Sequence, residues 1–372
     1  MNRTSLESWL WLRAVDGVGD ATAIKLVQRW NTPEAVCGAS VDELVEGGCS
    51  RQLATAIHKG PDTGARRRID LECTAIERHH VRMLSILDQA YPARLKMIPD
   101  PPALLYVTGT LTDQDALAVA IVGARKASPA GRLVTEELSR DLAVAGVTVV
   151  SGLARGVDAA AHRGALAANG RTIAVLGCGI DRTYPPKHDR LRKQVEEHGA
   201  VLSELPMGAP PHNHHFPRRN RIISGLCLGV IVTEAAMSSG SLITAKLAAD
   251  QGREVFAVPG QVKEETSRGT NGLLKDGAGL VEQAQDVLDA LMPQLEPELR
   301  VKLRTPMSFK KTSDRLGKEE ALVYDVLSYV PTTVDAMIER TGLPASVVVT
   351  ALLSLELQQR VRQLPGQCYL RT

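Results

Sequence analysis

Three loops in the middle of the chain carry the residue types that bind anions. Each combines glycine with serine where an apolar run turns into a helix-like segment, and the first two add an arginine. Backbone N–H groups at a helix start, opened by glycine and supplemented by serine hydroxyls, bind phosphate. Three such loops side by side would match successive phosphates, whereas the alternative is that small residues only permit tight turns. The candidate residues are Arg125 and Ser128, then Ser151, Gly152, Arg155 and Gly156, then Ser238, Ser239, Gly240 and Ser241.

The segment PHNHHFPRRNRIIS is the densest polar cluster in the sequence. Arg218, Arg219 and Arg221 carry guanidinium groups that can pair with phosphates through two parallel hydrogen bonds, and Asn220 stands among them. Phe216 can stack on a nucleobase. The segment indicates a nucleic-acid contact, and the alternative is a solvated basic loop.

Three histidines in the same segment, His212, His214 and His215, raise the question of a metal site. No cysteine or carboxylate stands near them at the spacing of metal ligands, and neighbouring histidines point in different directions. We therefore expect neither a metal nor another cofactor.

Asp158 and His162 lie four residues apart on one predicted helix, just beyond Ser151, which suggests a nucleophile, a base and an orienting acid. Both side chains share a helix that begins past the serine, and no partner for an oxyanion is evident. We therefore expect a structural hydrogen bond from His162 toward the loop, and no catalytic residue. Glu204 and Glu234 stand at predicted strand ends, where we favour a role in positioning the arginines over one as acids or bases.

The elements that must hold these residues form a repeating pattern. Six short apolar runs between Val119 and Val258 each end at a glycine, serine or charged residue, with helix-like stretches between them. Such runs are typical of buried parallel strands. Strands that alternate with amphipathic helices predict a doubly wound, Rossmann-like α/β sheet, whose ligands bind at the carboxyl ends of the strands.

The composition fits a large protein with reduced thiols. The chain has 372 residues, 44% of them hydrophobic, and a net charge of only +2, so an anionic partner must be met by a local basic patch. Its six cysteines form no CxxC pair, which argues against a disulfide framework. No apolar stretch reaches membrane-spanning length, and we expect a cytoplasmic protein with no membrane partner.

The regions beside the sheet differ from it. Residues 1–80 read as a small helical domain, whose Gly17-Val18-Gly19 turn resembles a helix-hairpin-helix that grips a DNA phosphate, or is an ordinary helical turn. Residues 81–292 hold the sheet. Residues 293–317 are highly charged and almost without periodicity, which predicts a linker.

Residues 318–372 read as three helices and a terminal hairpin, the pattern of a winged helix-turn-helix. Such a domain usually binds DNA, but its candidate reading helix, Ser346 to Gln359, carries no Lys or Arg. Because attraction to phosphate is then weak, we favour a protein-contact or accessory role.

A set of motifs occurs in a fixed order over roughly residues 85 to 290: VGARKASPAG, SGLARGVDAAAH, TIAVLGCGIDRTYP, LSELPMG, FPRRNRII, SSGSLITAKLA, and VFAVPG followed by RGTNGLLKDGA. In these motifs and their order the chain resembles the DNA-processing protein A family, also called DprA or Smf. The resemblance implies a homodimer that binds and protects single-stranded DNA in natural transformation and homologous recombination. It also implies loading of the RecA recombinase without catalytic turnover, and leaves duplex DNA open as a further ligand.

The resemblance assigns DNA contacts residue by residue. Two positions depart from the family's pattern: Ala124 stands where serine is frequent, and Lys187-His188 stands where Glu or Arg and then Asn are frequent. The first change removes a hydroxyl but keeps the backbone amide, and the second alters charge or capping. The positions carried over are Arg125, Ser128, Ser151 to Gly156, Lys187, Phe216 to Arg221, and Ser238 to Lys246.

Other function classes fit less well. A dinucleotide-binding enzyme needs the GxGxxG spacing that VGARKAS lacks. A nucleotide phosphoribohydrolase needs a carboxylate near the sugar, but Ala245 stands where that acid is expected. A pure scaffold using the winged domain predicts a central domain without DNA affinity. With only three Trp, six Tyr and three Phe, DNA binding should rest on phosphates and depend strongly on salt.

Overall fold

The computed structural model describes residues 1–295, 297–303, 316–328, 331–358, 360–364 and 366–371. Most of the predicted linker, 293–317, and Gln359 at the end of the predicted reading helix lie outside these residues. Along the described chain, six helices precede a nine-stranded sheet, and a smaller three-stranded sheet belongs to the C-terminal region.

The N-terminal helices pack around one apolar core. They are α1 (Arg3–Ala14), α2 (Asp20–Trp30), α3 (Pro33–Gly38), α4 (Val41–Glu46), α5 (Arg51–Lys59) and α6 (Thr63–Arg78). Polar residues such as Ser40 and Asp62 begin them by accepting hydrogen bonds from first-turn N–H groups. Trp9, Leu44 and Ile57 are buried where the helices meet, which fixes this region as a compact layer.

The central sheet is doubly wound, as the sequence predicts. Its strands are β1 (Arg82–Ser85), β2 (Leu104–Gly109), β3 (Ala118–Val122), β4 (Thr148–Ser151), β5 (Thr172–Val175), β6 (Ala200–Ser203), β7 (Gly229–Val232), β8 (Glu254–Ala257) and β9 (Gly279–Leu280). They lie in the order β1-β2-β6-β5-β4-β3-β7-β8-β9. β1 and β2 add antiparallel strands at one edge, and the others are parallel. The six predicted apolar runs are β3 to β8, which confirms the predicted fold class.

Helices cover both faces of the sheet. They are α7 (Ala93–Lys96), α8 (Pro129–Val144), α9 (Val157–Ala167), α10 (Asp189–His198), α11 (His215–Leu226), α12 (Gly240–Asp250), α13 (Arg268–Lys275) and α14 (Ala284–Leu291), with 3₁₀ turns at Asp113–Ala116, Pro186–His188, Glu265–Ser267 and Met292–Gln294. In β3, Val119 and Ile121 pack into the core that includes Leu138 of α8, whereas Ala120 and Val122 pack into the core of the opposite face. Burial on both faces explains the continuous apolar runs.

The C-terminal region is a winged helix, as predicted. Its elements are α16 (Lys318–Val326), β10 (Thr332–Thr333), α17 (Val334–Thr341), α18 (Ala345–Leu357), β11 (Val361–Leu364) and β12 (Cys368–Arg371), and α15 (Pro297–Lys302) precedes them. Arg362 of the wing lies 3.2 Å from Glu136 of α8. α15 occupies the first part of the predicted linker, because Leu295 and Leu299 pack against the core beside α8. No described helix is by itself long and apolar enough to cross a membrane, although α17 and α18 reach that length and composition as a pair bent by 113°.

Candidate functional site

A cavity of about 340 Å³ opens at the carboxyl ends of β3, β4 and β7, where the fold places its loops. Its lining includes these predicted site residues: Arg125, Phe216, Arg219, Asn220, Ser239, Gly240 and Ser241. Asp158 also lines the cavity. The three loops and the arginine-rich segment therefore meet at one place, which their separation in sequence does not require.

The first loop presents Arg125 and uses Ser128 for its own structure. Ser128 begins α8 as predicted, since its hydroxyl accepts a hydrogen bond from the Gly131 N–H at 2.9 Å. The Ser128 N–H donates to the Glu234 carboxylate at 2.9 Å. The Arg125 guanidinium is exposed and lies 4.9 Å from the centre of the Phe216 ring. The sequence predicts that Glu234 positions the arginines, and the structure shows its carboxylate holding the backbone of the loop that carries Arg125.

The second loop is organised by Asp158. Its carboxylate accepts hydrogen bonds from the N–H groups of Gly152 and Ala154 at 3.2 and 3.3 Å. Burial raises the pKa of Asp158, and the nearby Arg219 opposes that shift. The Ser151 hydroxyl is buried and donates to the Ile121 carbonyl oxygen at 2.7 Å. Ser151 and the Gly152 N–H, both predicted to bind DNA, are thus already used within the protein.

The tip of the second loop lies against the first. Gly156 has φ of +75°, and a Cβ there would collide with the Ala124 carbonyl oxygen, so glycine is required at this position. Arg155 beside it is exposed. The close approach of the two backbones brings Arg155 and Arg125 near each other.

His162 makes a structural hydrogen bond, but its partner differs from the predicted one. Its Nδ1 lies 2.7 Å from the Thr172 hydroxyl on β5, and that hydroxyl donates to the Val149 carbonyl oxygen at 2.8 Å. Because the hydroxyl has one hydrogen, Nδ1 must be the donor. The Nε2 is buried without a hydrogen-bond partner in the described residues. Burial therefore lowers the pKa of His162 to about 3.

We expect this histidine to make the protein acid-sensitive. The unfolded chain takes up the proton near the ordinary pKa of 6.5, whereas the folded chain resists it down to about 3. Stability contributed by the neutral ring is therefore complete above pH 6.5 and falls with decreasing pH, by about 2 kcal/mol at pH 5. Urea denaturation of wild type and His162→Gln from pH 7.5 to 5 measures it. The variant should lose less stability over this range, and parallel pH profiles would contradict the assignment.

The arginine-rich segment is the helix α11, not a solvated loop. Arg219 is 4% exposed, and its guanidinium donates to the carbonyl oxygens of Gly152, at 2.9 Å, and Val175. Burial lowers the pKa of Arg219 to about 10. Asn220 is also buried and donates to the Gly240 carbonyl oxygen at 3.4 Å. Arg219 thus ties α11 to the ends of β4 and β5, and its burial conflicts with its predicted role as a phosphate ligand.

Arg221 is likewise an interior residue. Its guanidinium lies 2.6 Å from Glu204 and 3.1 Å from Asp100, and the Arg221 and Glu204 side chains are 8% and 3% exposed. Burial raises the pKa of Glu204, and the arginines oppose that shift. The predicted positioning of arginines by Glu204 is confirmed, but the prediction of Arg221 as a phosphate ligand conflicts with its burial and its carboxylate partners, which also include Asp20 at 3.9 Å.

Arg218 is the half-exposed arginine of α11, at 53%, and it lies 3.3 Å from Glu204 and 3.4 Å from Asp20. Asp20 is the first residue of α2 and follows the Gly17–Gly19 turn. The sequence analysis did not find Asp20 or Asp100 as partners of these arginines. No signal in the sequence links residues so far apart, because only the docking of the N-terminal helices brings Asp20 to α11.

The remaining predicted residues are spread around the cavity. Ser239 begins α12 by accepting a hydrogen bond from the Ser241 N–H at 3.4 Å, so this helix starts at Gly240, slightly before the predicted Leu242. Phe216 is half-buried against Tyr184, with ring centres 5.5 Å apart. The other predicted residues, Ser238, Lys187 and Lys246, are exposed outside the cavity lining.

The three histidines cluster at the start of α11, where the rings of His212 and His214 stack and the His215 ring meets both edge-on. The rings of His212, His214 and His215 have centres 4.4 to 5.6 Å apart. Across the described ranges of the chain, no group of three or more His, Cys, Asp or Glu residues is arranged to hold a metal ion. The chemistry that this site offers is attraction of anions by exposed cations, beside one half-buried aromatic ring.

Sequence comparison places the chain among known proteins. The family model of DNA recombination-mediator protein A matches residues 82–292, and that of the DprA winged helix domain matches residues 308–367. Protein Smf of Escherichia coli K12 is 36% identical over 367 residues, covering 97% of this chain and 94% of that protein. The DNA processing protein DprA of Streptococcus pneumoniae R6 is 47% identical over 204 residues, covering 55% of this chain and 72% of that protein.

Solved structures agree with these matches. The X-ray structure of DNA processing protein A from Streptococcus pneumoniae aligns with a TM-score of 0.66 at 36% identity, covering 78% of this chain and 98% of that one. A structure of DNA processing protein A from Helicobacter pylori, which describes that protein's single-stranded DNA binding mode, aligns with a TM-score of 0.52 at 32% identity. It covers 58% of this chain and 99% of that one.

Proposed function

The chain belongs to the DNA recombination-mediator protein A family, and from that premise we propose that it binds single-stranded DNA along the carboxyl edge of its sheet. The observation that carries this proposal is the cavity where Arg125, Phe216 and the start of α12 converge. An exposed guanidinium beside an aromatic ring and a helix start suits a phosphate and its neighbouring base. The Helicobacter pylori relative, which is described with single-stranded DNA, supports it.

The phosphate contacts come from cations that solvent can reach. Arg125, Arg155, Lys187 and Lys246 are exposed, and Arg218 is half-exposed. Arg219 and Arg221 act differently, by holding the loops and α11 in place. The proposed interface therefore lies in the predicted region, but fewer of the predicted residues contact DNA directly.

We further propose that the protein protects incoming strands and loads the RecA recombinase in transformation and recombination, as a homodimer in the cytoplasm. For the dimer, the support is that three large apolar side chains, in the segments after β7 and β8 and in β9, are exposed: Met237, Val262 and Leu280 at 67%, 86% and 52%. A dimer contact would cover these side chains together as one patch. Sedimentation of the wild type against Val262→Asp tests it, and a wild-type monomer at micromolar concentration would refute it.

The proposed action is binding without turnover. Ala245, where a phosphoribohydrolase would need its acid, is 1% exposed in α12. Asp158 lines the cavity, but its carboxylate is held by two N–H groups of its own loop. Incubation with nucleoside monophosphates should release no free base, and release of many equivalents of base per protein that Asp158→Asn abolishes would establish an enzyme instead.

The proposed binding is tested on the full chain by salt titration. An oligothymidylate and a duplex of equal length are compared over a range of potassium chloride concentrations. Tight binding of the single strand, with log K falling linearly against log salt, is expected because phosphate contacts release counterions. Equal weak binding of both ligands, without a salt slope, would refute single-stranded DNA binding.

We also propose that residues 318–372 form a separate domain dispensable for binding single strands. Helix α18 carries no Lys or Arg, and the Arg362–Glu136 pair is a surface ion pair worth less than about 1 kcal/mol. A chain ending at Leu303 should keep its affinity within about threefold. This end point retains α15, whereas ending at Pro293 removes Leu295 and Leu299 from the core. A tenfold loss in the folded shorter chain would show direct participation of the winged domain.

A further inference from the structure

A second large cavity lies in the N-terminal helical region, away from the carboxyl edge of the sheet. It is a groove of about 960 Å³ between α1, α5 and α6. Trp11, Lys59, Gly60 and Arg68 line it, together with Gly17 of the turn before α2. Neither the central cavity nor the proposed contacts described above use these residues.

The groove combines an aromatic ring with free cations. Trp11 is half-buried against Gly60, where an added Cβ would lie 3.3 Å from the indole ring. The Trp11 Nε1 is buried and has no hydrogen-bond partner among the described residues. Lys59 and Arg68 are exposed and form no ion pair within the part of the chain that the structure describes. Asp62 in the wall is occupied as the first-turn acceptor of α6, at 2.6 Å from the Ala65 N–H.

The groove adjoins the central site through one turn. Gly17 lines the groove, and three residues later Asp20 lies 3.4 Å from Arg218 of α11. One turn therefore separates the groove from Arg218, and the Arg218–Asp20 ion pair links α11 to the helical region.

We propose that this groove is a second subsite for single-stranded DNA, which binds nucleotides that extend beyond the central cavity. This inference rests on the proposed function. A base stacks on Trp11 and the flanking phosphates pair with Lys59 and Arg68, which is how proteins bind single strands without reading their sequence. A long strand gains some affinity because it can bind one site in several registers. We expect the measured gain in affinity of long over short strands to exceed this statistical factor.

The test compares two oligothymidylates on the full chain, one of about 6 and one of about 24 nucleotides, since sites of this kind take roughly 4–16 nucleotides. Lys59→Ala/Arg68→Ala should weaken the long strand about tenfold, lower its salt slope by about 1.4, and leave the short strand unchanged. The matched control is Lys25→Ala/Arg67→Ala, which removes the same charge from exposed positions outside the groove lining. It should change neither strand by more than about twofold.

Direct contact is measured with a long oligonucleotide carrying bromodeoxyuridine. Ultraviolet crosslinking should attach it to Trp11, as mapped by mass spectrometry, and Trp11→Phe should reduce the yield. Equal losses for both strand lengths, equal losses in both double variants, or no crosslink near Trp11 would overturn the second subsite. If neither strand binds the wild type, the proposed function itself fails, so the two failures are distinguishable.

Discussion

Replacing Arg221 with alanine should lower the free energy of unfolding by about 3–5 kcal/mol, because the change leaves a buried carboxylate without its partner. The Glu204 side chain is 3% exposed and lies 2.6 Å from the Arg221 guanidinium. Burial already disfavours the charged form of this carboxyl and raises its pKa, so the loss of Arg221 removes the main compensation. Urea denaturation of wild type and variant at pH 7 measures the difference.

Two further variants isolate the cause. Arg221→Met combined with Glu204→Leu removes both charges and should recover most of the lost stability, since the desolvation cost disappears with them. Arg218→Ala removes a half-exposed arginine from the same helix and should cost less than about 1 kcal/mol. An Arg221→Ala variant with the stability of the wild type and weakened DNA binding would return this residue to the DNA interface.

Arg125→Ala should weaken binding of single-stranded DNA by about 1–3 kcal/mol and reduce the salt slope by about 0.7, the effect of losing one charged phosphate contact. The Arg125 guanidinium is exposed and lies 4.9 Å from the centre of the Phe216 ring. It has no ion-pair partner in the described ranges. Its removal should therefore leave the melting temperature within about 2 °C of the wild type. Fluorescence anisotropy across a salt series measures both quantities.

The matched control for Arg125 is Arg163→Ala. Arg163 is an exposed arginine of α9 that lines a groove on the α8 side, away from the central cavity. Its loss changes the net charge by the same amount but should leave affinity and slope nearly unchanged. If both variants weaken binding equally, the effect comes from overall charge, and Arg125 makes no contact.

Arg125 and Arg221 are expected to affect different properties, DNA binding and stability, because their surroundings in the fold differ. In the sequence, Arg125 and Arg221 look alike, since each stands near glycine, serine or asparagine in a polar segment. In the fold, the Arg125 side chain is exposed in a loop, whereas the Arg221 side chain is buried within a helix and pairs with carboxylates. The same chemical group is therefore available for the proposed DNA contact in one place and anchors a helix in the other.

The central sheet was predictable from local patterns in the sequence. Strands β3 to β8 are buried on both faces, so nearly every residue in them must be apolar, and this local requirement is visible in the chain as short continuous runs. The turn chemistry was local as well: Ser128 begins α8 because its hydroxyl reaches an N–H three residues on. The winged helix was predictable for the same reason, from helix and hairpin patterns that need no distant partner.

Which polar side chains remain available for a ligand depends on how the folded chain packs. Arg219 reaches carbonyl oxygens after β4 and on β5, and Arg218 meets Asp20 at a separation of 198 residues. These pairings depend on how helices dock on the sheet, and an arginine has the same pattern in sequence whether its partner is a phosphate or a buried carboxylate. Burial and partner identity are properties of the packed chain, and they show that predicted DNA ligands such as Arg219 hold elements of the fold together.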